Sequence, residues 1–322
     1  MAQFDLPVPE LEQYRPAVDE PDDFDEFWRA TIAEARGLGD DVRVERVDAG
    51  LTALTVDDVT FAGFGGHPIK AWLVRPSQVD GPLPTVVEFL GYGGGRGLAH
   101  EHLGYAAAGF AHLVVDTRGQ GSAWGSGGDT PDPVGSGPAS PGFMTRGILD
   151  PAEHYYRRVF TDGVRAVDAV RQIDGIDPAR VAVAGTSQGG GIAIAVAGLL
   201  PDVAAAAPNV PFLCHFRRAV QIVDSHPYGE ITQYLSVHRD HEDAVWRTLS
   251  YLDGVSFARR ARAAGLFSAA LMDTICPPST VYAAYNAWGG EHREIDVYPY
   301  NGHEGGQAYR FAPTVAWLRK HA

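Results

Sequence analysis

Gly185-Thr186-Ser187-Gln188-Gly189 sets one serine between two glycines, after the apolar run RVAVA and before a second apolar stretch. A serine at a sharp turn from strand to helix presents its hydroxyl to solvent, and glycines on either side keep the strained backbone free of Cβ collisions. This is the setting of a nucleophile elbow. The same letters also fit a plain glycine-rich turn in which Ser187 caps a helix, so partners are needed to decide. A nucleophilic serine requires a histidine to take its proton and a carboxylate to orient that histidine, in the chain order serine, acid, histidine for this elbow.

That order restricts the search to residues after Ser187. Among the aspartates between Ser187 and His303, only Asp273 ends an apolar run of strand type, LFSAALMD, at the carboxyl edge that also carries the serine. Asp296 lies inside REIDVYPY and is expected to point off the sheet face. His303 follows that last strand, in the loop NGHEGG. His215, His226, His238 and His241 belong to a stretch of short helices, His292 precedes a strand, and His321 sits near the end of the sequence given. Asp273 and His303 are therefore the expected acid and base.

Acyl transfer also needs backbone N–H groups aimed at the developing oxyanion. Gln188, just after the nucleophile, is one expected donor, and Tyr92 in the loop Gly91-Tyr92-Gly93-Gly94-Gly95 is the other. A phosphate-binding reading of that glycine loop fails, because no GK[ST] follows and Arg96 and Leu98 break a GxGxxG pattern. A metal enzyme built on His238 and His241 in HRDH competes with a charged helix surface, since Asp240, Glu242 and Asp243 adjoin them. The expectation is no metal and no cofactor.

These residues need a scaffold, and the pattern supplies one. PDDFDEFWRATIAEARG has helical spacing with acidic residues in its first turn, which makes residues 1–40 an N-terminal helical arm. VRVERVDAG, LTVDDVTFAGF and HPIKAWLVRP alternate as antiparallel strands do. From residue 84 apolar strands mostly alternate with helical stretches at Glu153 to Ile173, Gly189 to Leu200, Thr280 to Trp288 and Gln307 to Lys320. That rhythm predicts an α/β fold with a mostly parallel central sheet covered by helices on both faces. Residues 211–264 interrupt it as a helical insertion, and 119–142 reads as a long loop. The expectation is one domain across 1–322. A formal charge of -14 argues against nucleic acid and anionic membrane partners. MAQFDLPVPELEQY lacks a basic and then apolar leader, and two cysteines suit a reducing compartment, so a soluble cytoplasmic protein is expected.

GYGGGRG, Arg118-Gly119-Gln120, GTSQGG and the pair His303-Glu304, with MDTICPPSTVYAAYN around Asp273, resemble the acetyl xylan esterase and cephalosporin-C deacetylase family, carbohydrate esterase family 7. The resemblance spans essentially the whole chain. One departure is Leu90, where many members carry His. The resemblance implies the α/β-hydrolase fold and a serine esterase that removes acetyl groups from small substrates, short acetylated xylo-oligosaccharides and cephalosporin-type esters. It also implies an intracellular homohexamer whose sites face an inner cavity. Arg118 and Gln120 are expected to hold the loop after HLVVDT. Trp124, Phe212, Ile275 and Cys276 are expected either to wall a small acyl pocket or to belong to the ordinary core. A broad carboxylesterase or peptidase of the same fold is the second reading. A catalytically dead α/β-hydrolase used for binding is the non-enzymatic one, although such proteins usually lack a triad member and all three are present here.

Overall fold

The structure is a computed structural model that describes residues 2–135 and 137–322. Helices α1 (Val8–Leu11) and α2 (Phe24–Gly37) precede three strands, β1 (Val42–Val47), β2 (Leu54–Ala62) and β3 (Pro68–Pro76). Next come β4 (Leu83–Phe89), α3 (Gly104–Ala107), β5 (Ala111–Val115), α4 (Tyr155–Val170), β6 (Ile176–Thr186), α5 (Gln188–Leu199) and β7 (Ala205–Asn209). Four helices follow before the next strand: α6 (Phe216–Ile222), α7 (Gly229–Val237), α8 (Glu242–Ser250) and α9 (Gly254–Arg260). The chain closes with β8 (Ala264–Ala270), α10 (Pro278–Ala287), β9 (Arg293–Tyr298) and α11 (Phe311–His321).

The nine strands form one sheet in the order β1-β2-β3-β5-β4-β6-β7-β8-β9. Pairs from β1 to β5 along one edge are antiparallel, and β5-β4-β6-β7-β8-β9 run parallel. Side chains alternate between faces. Val87, Val183, Ala206 and Phe267 face the larger core with α4, α5 and α9, whereas Val86, Ala182, Ala184 and Leu266 face a smaller core under α11. Runs that are mostly apolar on both faces, broken only by residues such as Glu88, His112 and Ser268, are the physical origin of the parallel pattern in the sequence.

The N-terminal helix is tied into this body. Its buried residues Phe24, Trp28, Ile32 and Ala35 recur at helical spacing, and Trp28 Nε1 donates to the Tyr251 carbonyl at 2.9 Å. Between β7 and β8, α9 packs directly on α5, where Gly198 leaves no room for a Cβ beside the Phe257 backbone. The last helical pattern departs from expectation. Residues Gln307–Arg310 form a 3-10 turn and the α-helix begins only at Phe311, because Gly305, Gly306 and Gln307 all have positive φ.

His154 caps α4. Its Nδ1 accepts from the Tyr156 N–H at 3.1 Å and its Nε2 donates to the Met144 carbonyl at 3.0 Å, so the buried ring is neutral. Burial lowers its pKa to about 3. The unfolded chain therefore takes a proton near pH 6.5 that the folded chain refuses. Stability present above that pH is lost as pH falls from 6.5 toward 3, by up to about 1.4 kcal/mol per unit. His154→Gln is expected to lower Tm at pH 7 and to flatten its dependence between pH 6.5 and 4.5; an unchanged slope by calorimetry would contradict this origin.

Candidate active site

Ser187 sits between β6 and α5 with φ 57° and ψ -118°, a conformation an L residue holds only under constraint. Its N–H donates to the Asn209 carbonyl at 3.0 Å, and its own carbonyl accepts from Phe212 at 2.9 Å and Gly191 at 3.0 Å. The flanking glycines are obligatory. A Cβ on Gly185 would strike the Gly189 backbone, and one on Gly189 would strike the Phe89 carbonyl.

The loop after β9 brings His303 to the serine, and the turn after β8 brings Asp273 to the histidine. His303 Nε2 lies 2.9 Å from Ser187 Oγ, and Nδ1 lies 2.9 Å from Asp273 Oδ2. Asp273 has no accessible surface, and its Oδ1 accepts the Ile275 and Cys276 N–H groups at 2.8 and 2.9 Å. One carboxyl oxygen is thus fixed by the backbone and the other is left for the imidazole. A carboxylate accepts only, so Nδ1 carries the ring proton and Nε2 is free to accept from the serine hydroxyl. Asp296 instead pairs with Arg310 at 2.6 Å.

Among the described residues, neither the Gln188 nor the Tyr92 backbone N–H meets a protein acceptor. The two donors are cross-tied through side chains. Gln120 Oε1 accepts from Gly93 N–H at 2.7 Å, and Gln120 Nε2 donates to Gln188 Oε1 at 2.9 Å. Gln188 Nε2 reaches the Leu90 carbonyl at 3.1 Å, so the glycine loop is anchored through the Leu90 backbone. Tyr156 OH adds a bond to Gln188 Oε1, and Tyr155 OH donates to the Arg118 carbonyl at 2.6 Å. Arg118 is fully buried and gripped bidentately by Asp162 at 2.5 and 2.7 Å. Its place, and that of Gln120, is behind the reacting atoms.

The four expected pocket residues separate. Trp124 is half-exposed and its Nε1 donates to the Tyr92 carbonyl at 2.7 Å, so it braces the glycine loop at the rim. Ile275 keeps partial exposure beside Asp273. Phe212 and Cys276 do not line an open pocket. Phe212 has no accessible surface and packs between Tyr92 and Tyr228, because its N–H is committed to the Ser187 carbonyl. Cys276 is 1% exposed, and burial pushes its thiol well above the ordinary value.

Asp273, Cys276 and His303 are the group of potential metal donors among the described residues, their ligand atoms within 4.8 Å of one another. Both ring nitrogens of His303 are hydrogen-bonded and the neighbouring thiol stays protonated, so the set suits proton transfer. His238 and His241 stack parallel at 4.9 Å with Tyr234 OH on His241 Nδ1, a helix-surface arrangement. Tyr155, Tyr156 and Glu230, all touching the donors' supports, were not singled out by the sequence.

A family model described as acetyl xylan esterase matches residues 1–321. The acetyl esterase Axe7A of Xylanibacter ruminicola is 27% identical over 316 residues, covering 97% of this chain and 69% of that protein. The acetyl xylan esterase from Paenibacillus sp. R4 is 39% identical, with 98% of this chain and all of that one covered and a TM-score of 0.92. Acetyl xylan esterase 1 from Thermoanaerobacterium sp. JW/SL YS485 is 32% identical, with 99% and 100% covered and a TM-score of 0.89. An acylaminoacyl peptidase from Pyrococcus horikoshii, 12% identical at TM-score 0.60 with 85% of this chain and 43% of that one covered, shares the α/β-hydrolase fold alone.

Ser187→Ala, Asp273→Asn and His303→Ala are each expected to lower kcat by ~10³-fold or more while melting near the wild type, as residues acting as one unit do. A folded variant with near-normal turnover would remove that residue from the set.

Proposed function

Since the chain belongs to the acetyl xylan esterase family and is a serine acetyl esterase, we propose that Ser187, His303 and Asp273 carry its acyl transfer on small acetylated sugars. The observation that supports this most is the unbroken line of two 2.9 Å contacts from Asp273 through His303 to Ser187. Ser187 Oγ attacks the acetyl carbonyl carbon while His303 Nε2 takes the hydroxyl proton. The carbonyl oxygen becomes the oxyanion and receives the Gln188 and Tyr92 N–H bonds. His303 then passes its proton to the departing sugar oxygen, the C–O bond breaks, and acetyl-Ser187 remains. A water replaces the alcohol, gives its proton to His303 and attacks the acyl carbon; the serine oxygen leaves, recovers that proton, and acetate is released. Throughout, Asp273 holds the imidazole in one tautomer and stabilises the imidazolium.

The proposed substrates are short acetylated xylo-oligosaccharides, in keeping with what the two solved relatives are named for. Cephalosporin-type acetyl esters are proposed on the resemblance alone. Closed packing of Phe212 and Cys276 behind the serine leaves little depth for an acyl chain. Overpacking such a space costs about 1 to 3 kcal/mol, roughly ten- to a hundredfold in rate. 4-Nitrophenyl acetate is therefore expected to outpace the octanoate by that factor; equal rates would contradict the small pocket. A panel of acetylated xylo-oligosaccharides and acetylated antibiotics, compared by kcat/KM, separates the two substrate classes.

A cytoplasmic homohexamer with inward-facing sites is also proposed, because the resemblance implies it and exclusion of polymeric xylan would follow. None of the described helices is long and apolar enough to cross a membrane. Light scattering after size exclusion is expected to give about six times 34.6 kDa, a closed symmetric assembly. A monomer at micromolar concentration would overturn the ring.

A further inference from the structure

We propose that Glu230, supplied by α7 between β7 and β8, is a positioning residue that fixes the direction of the Tyr92 N–H through the Tyr92 phenol; this rests on Tyr92 as an oxyanion donor. Glu230 is a buried carboxyl, 2% exposed, that the acyl-transfer steps do not use. Among the described residues no arginine or lysine pairs with it. Its partners lie on two loops. Tyr92 OH donates to Oε1 at 2.5 Å, and the Met144 N–H donates to Oε2 at 2.9 Å.

The Phe143 N–H donates to the Tyr92 oxygen at 2.6 Å, so the phenol proton must go elsewhere, and Glu230 takes it. Both carboxyl oxygens therefore act as acceptors. Burial raises the Glu230 carboxyl above its ordinary range, while the Tyr92 bond counters this. Gly142 is pressed against the same carboxyl, at φ 125°, with no room for a Cβ.

Tyr92 is thereby held at both ends. At the backbone, Trp124 Nε1 takes its carbonyl at 2.7 Å and the Gly91 carbonyl accepts from Gly94 at 3.1 Å. At the ring, Glu230 and Phe143 fix the hydroxyl, and Phe143 packs edge-on at 5.3 Å between centroids. With both ends fixed, the 91–92 peptide has little freedom to rotate its N–H away from the developing charge. A preorganised donor of this kind stabilises the transition state without reorganising. Glu230→Gln keeps the shape but offers one acceptor oxygen to two donors, so either Tyr92 OH or the Met144 N–H loses its partner.

The test uses the full chain of Glu230→Gln, Tyr92→Phe, the double variant and Ser187→Ala with 4-nitrophenyl acetate, each melting curve recorded. Glu230→Gln is expected to lower kcat about tenfold, less than outright loss of a donor, with KM within about twofold. The double variant is expected to fall no further than the slower single one, since both changes break the same contact. Wild-type kcat in folded Glu230→Gln, a change confined to KM, or losses that multiply in the double variant would each overturn the proposal. Should Glu230→Gln fail to fold, Tyr92→Phe decides alone: a loss of about three- to tenfold in kcat at constant KM supports it, and wild-type kcat overturns it. Ser187→Ala keeps the two readings apart. If it is inactive while Glu230→Gln is normal, only the role of Glu230 falls; if it stays active, the serine mechanism falls with it.

Discussion

The left-handed backbone at Ser187 is the constraint on which the rest depends. A non-glycine residue at φ 57° costs on the order of 1 to 3 kcal/mol and persists only where its surroundings over-determine it. Here β7 and the start of the following loop supply that force, through the Asn209 carbonyl on one side and the Phe212 N–H on the other. Glycines at 185 and 189 let β6, α5 and the end of β4 close around the turn without collision. The geometry that turns the hydroxyl toward His303 also opens the N-terminus of α5, whose first N–H groups have no intrahelical partner and favour negative charge. Strain in one residue and electrostatic stabilisation beside it thus share one cause.

Around that turn, polar groups are buried in a connected set. Gln120 and Gln188 exchange hydrogen bonds and each also holds a piece of the glycine loop, while Tyr155 and Tyr156 satisfy what remains. Behind them Arg118 and Arg158 share Asp132, and Arg118 takes Asp162. Buried charges of this kind are poor sources of net stability against an apolar core, but removing one partner leaves an uncompensated charge at a cost of about 3 to 5 kcal/mol. Their value here is directional: a fork of fixed donors and acceptors gives the loops from β4 and β5 one arrangement.

The Ser187, Asp273 and His303 constellation was legible because chain order and strand ends are properties of the sequence. Ser187 announces itself by its glycines, and Asp273 and His303 by ending or following apolar runs. The supports were less visible. Tyr155 and Tyr156 look like the start of any amphipathic helix, and Glu230 like a surface acid in a short helix; the tyrosines become meaningful only when segments 32 to 37 residues away fold against them, and Glu230 only when Tyr92, 138 residues away, does. Phe212 stayed open for the same reason. An aromatic after a strand fits a pocket wall or a core equally, and only the fold shows its ring enclosed between Tyr92 and Tyr228. Leu90 raised a question about the loop that only the Gln188 side chain answers.

Ser187 is proposed as the group that becomes acylated. Treating the protein with diethyl 4-nitrophenyl phosphate and mapping the adduct by peptide mass spectrometry tests it directly. One diethyl phosphate per chain is expected, on Ser187, with labelling and loss of esterase activity advancing at the same rate. Full inactivation with Ser187 unlabelled, or stoichiometric labelling of Ser187 with activity retained, would contradict it.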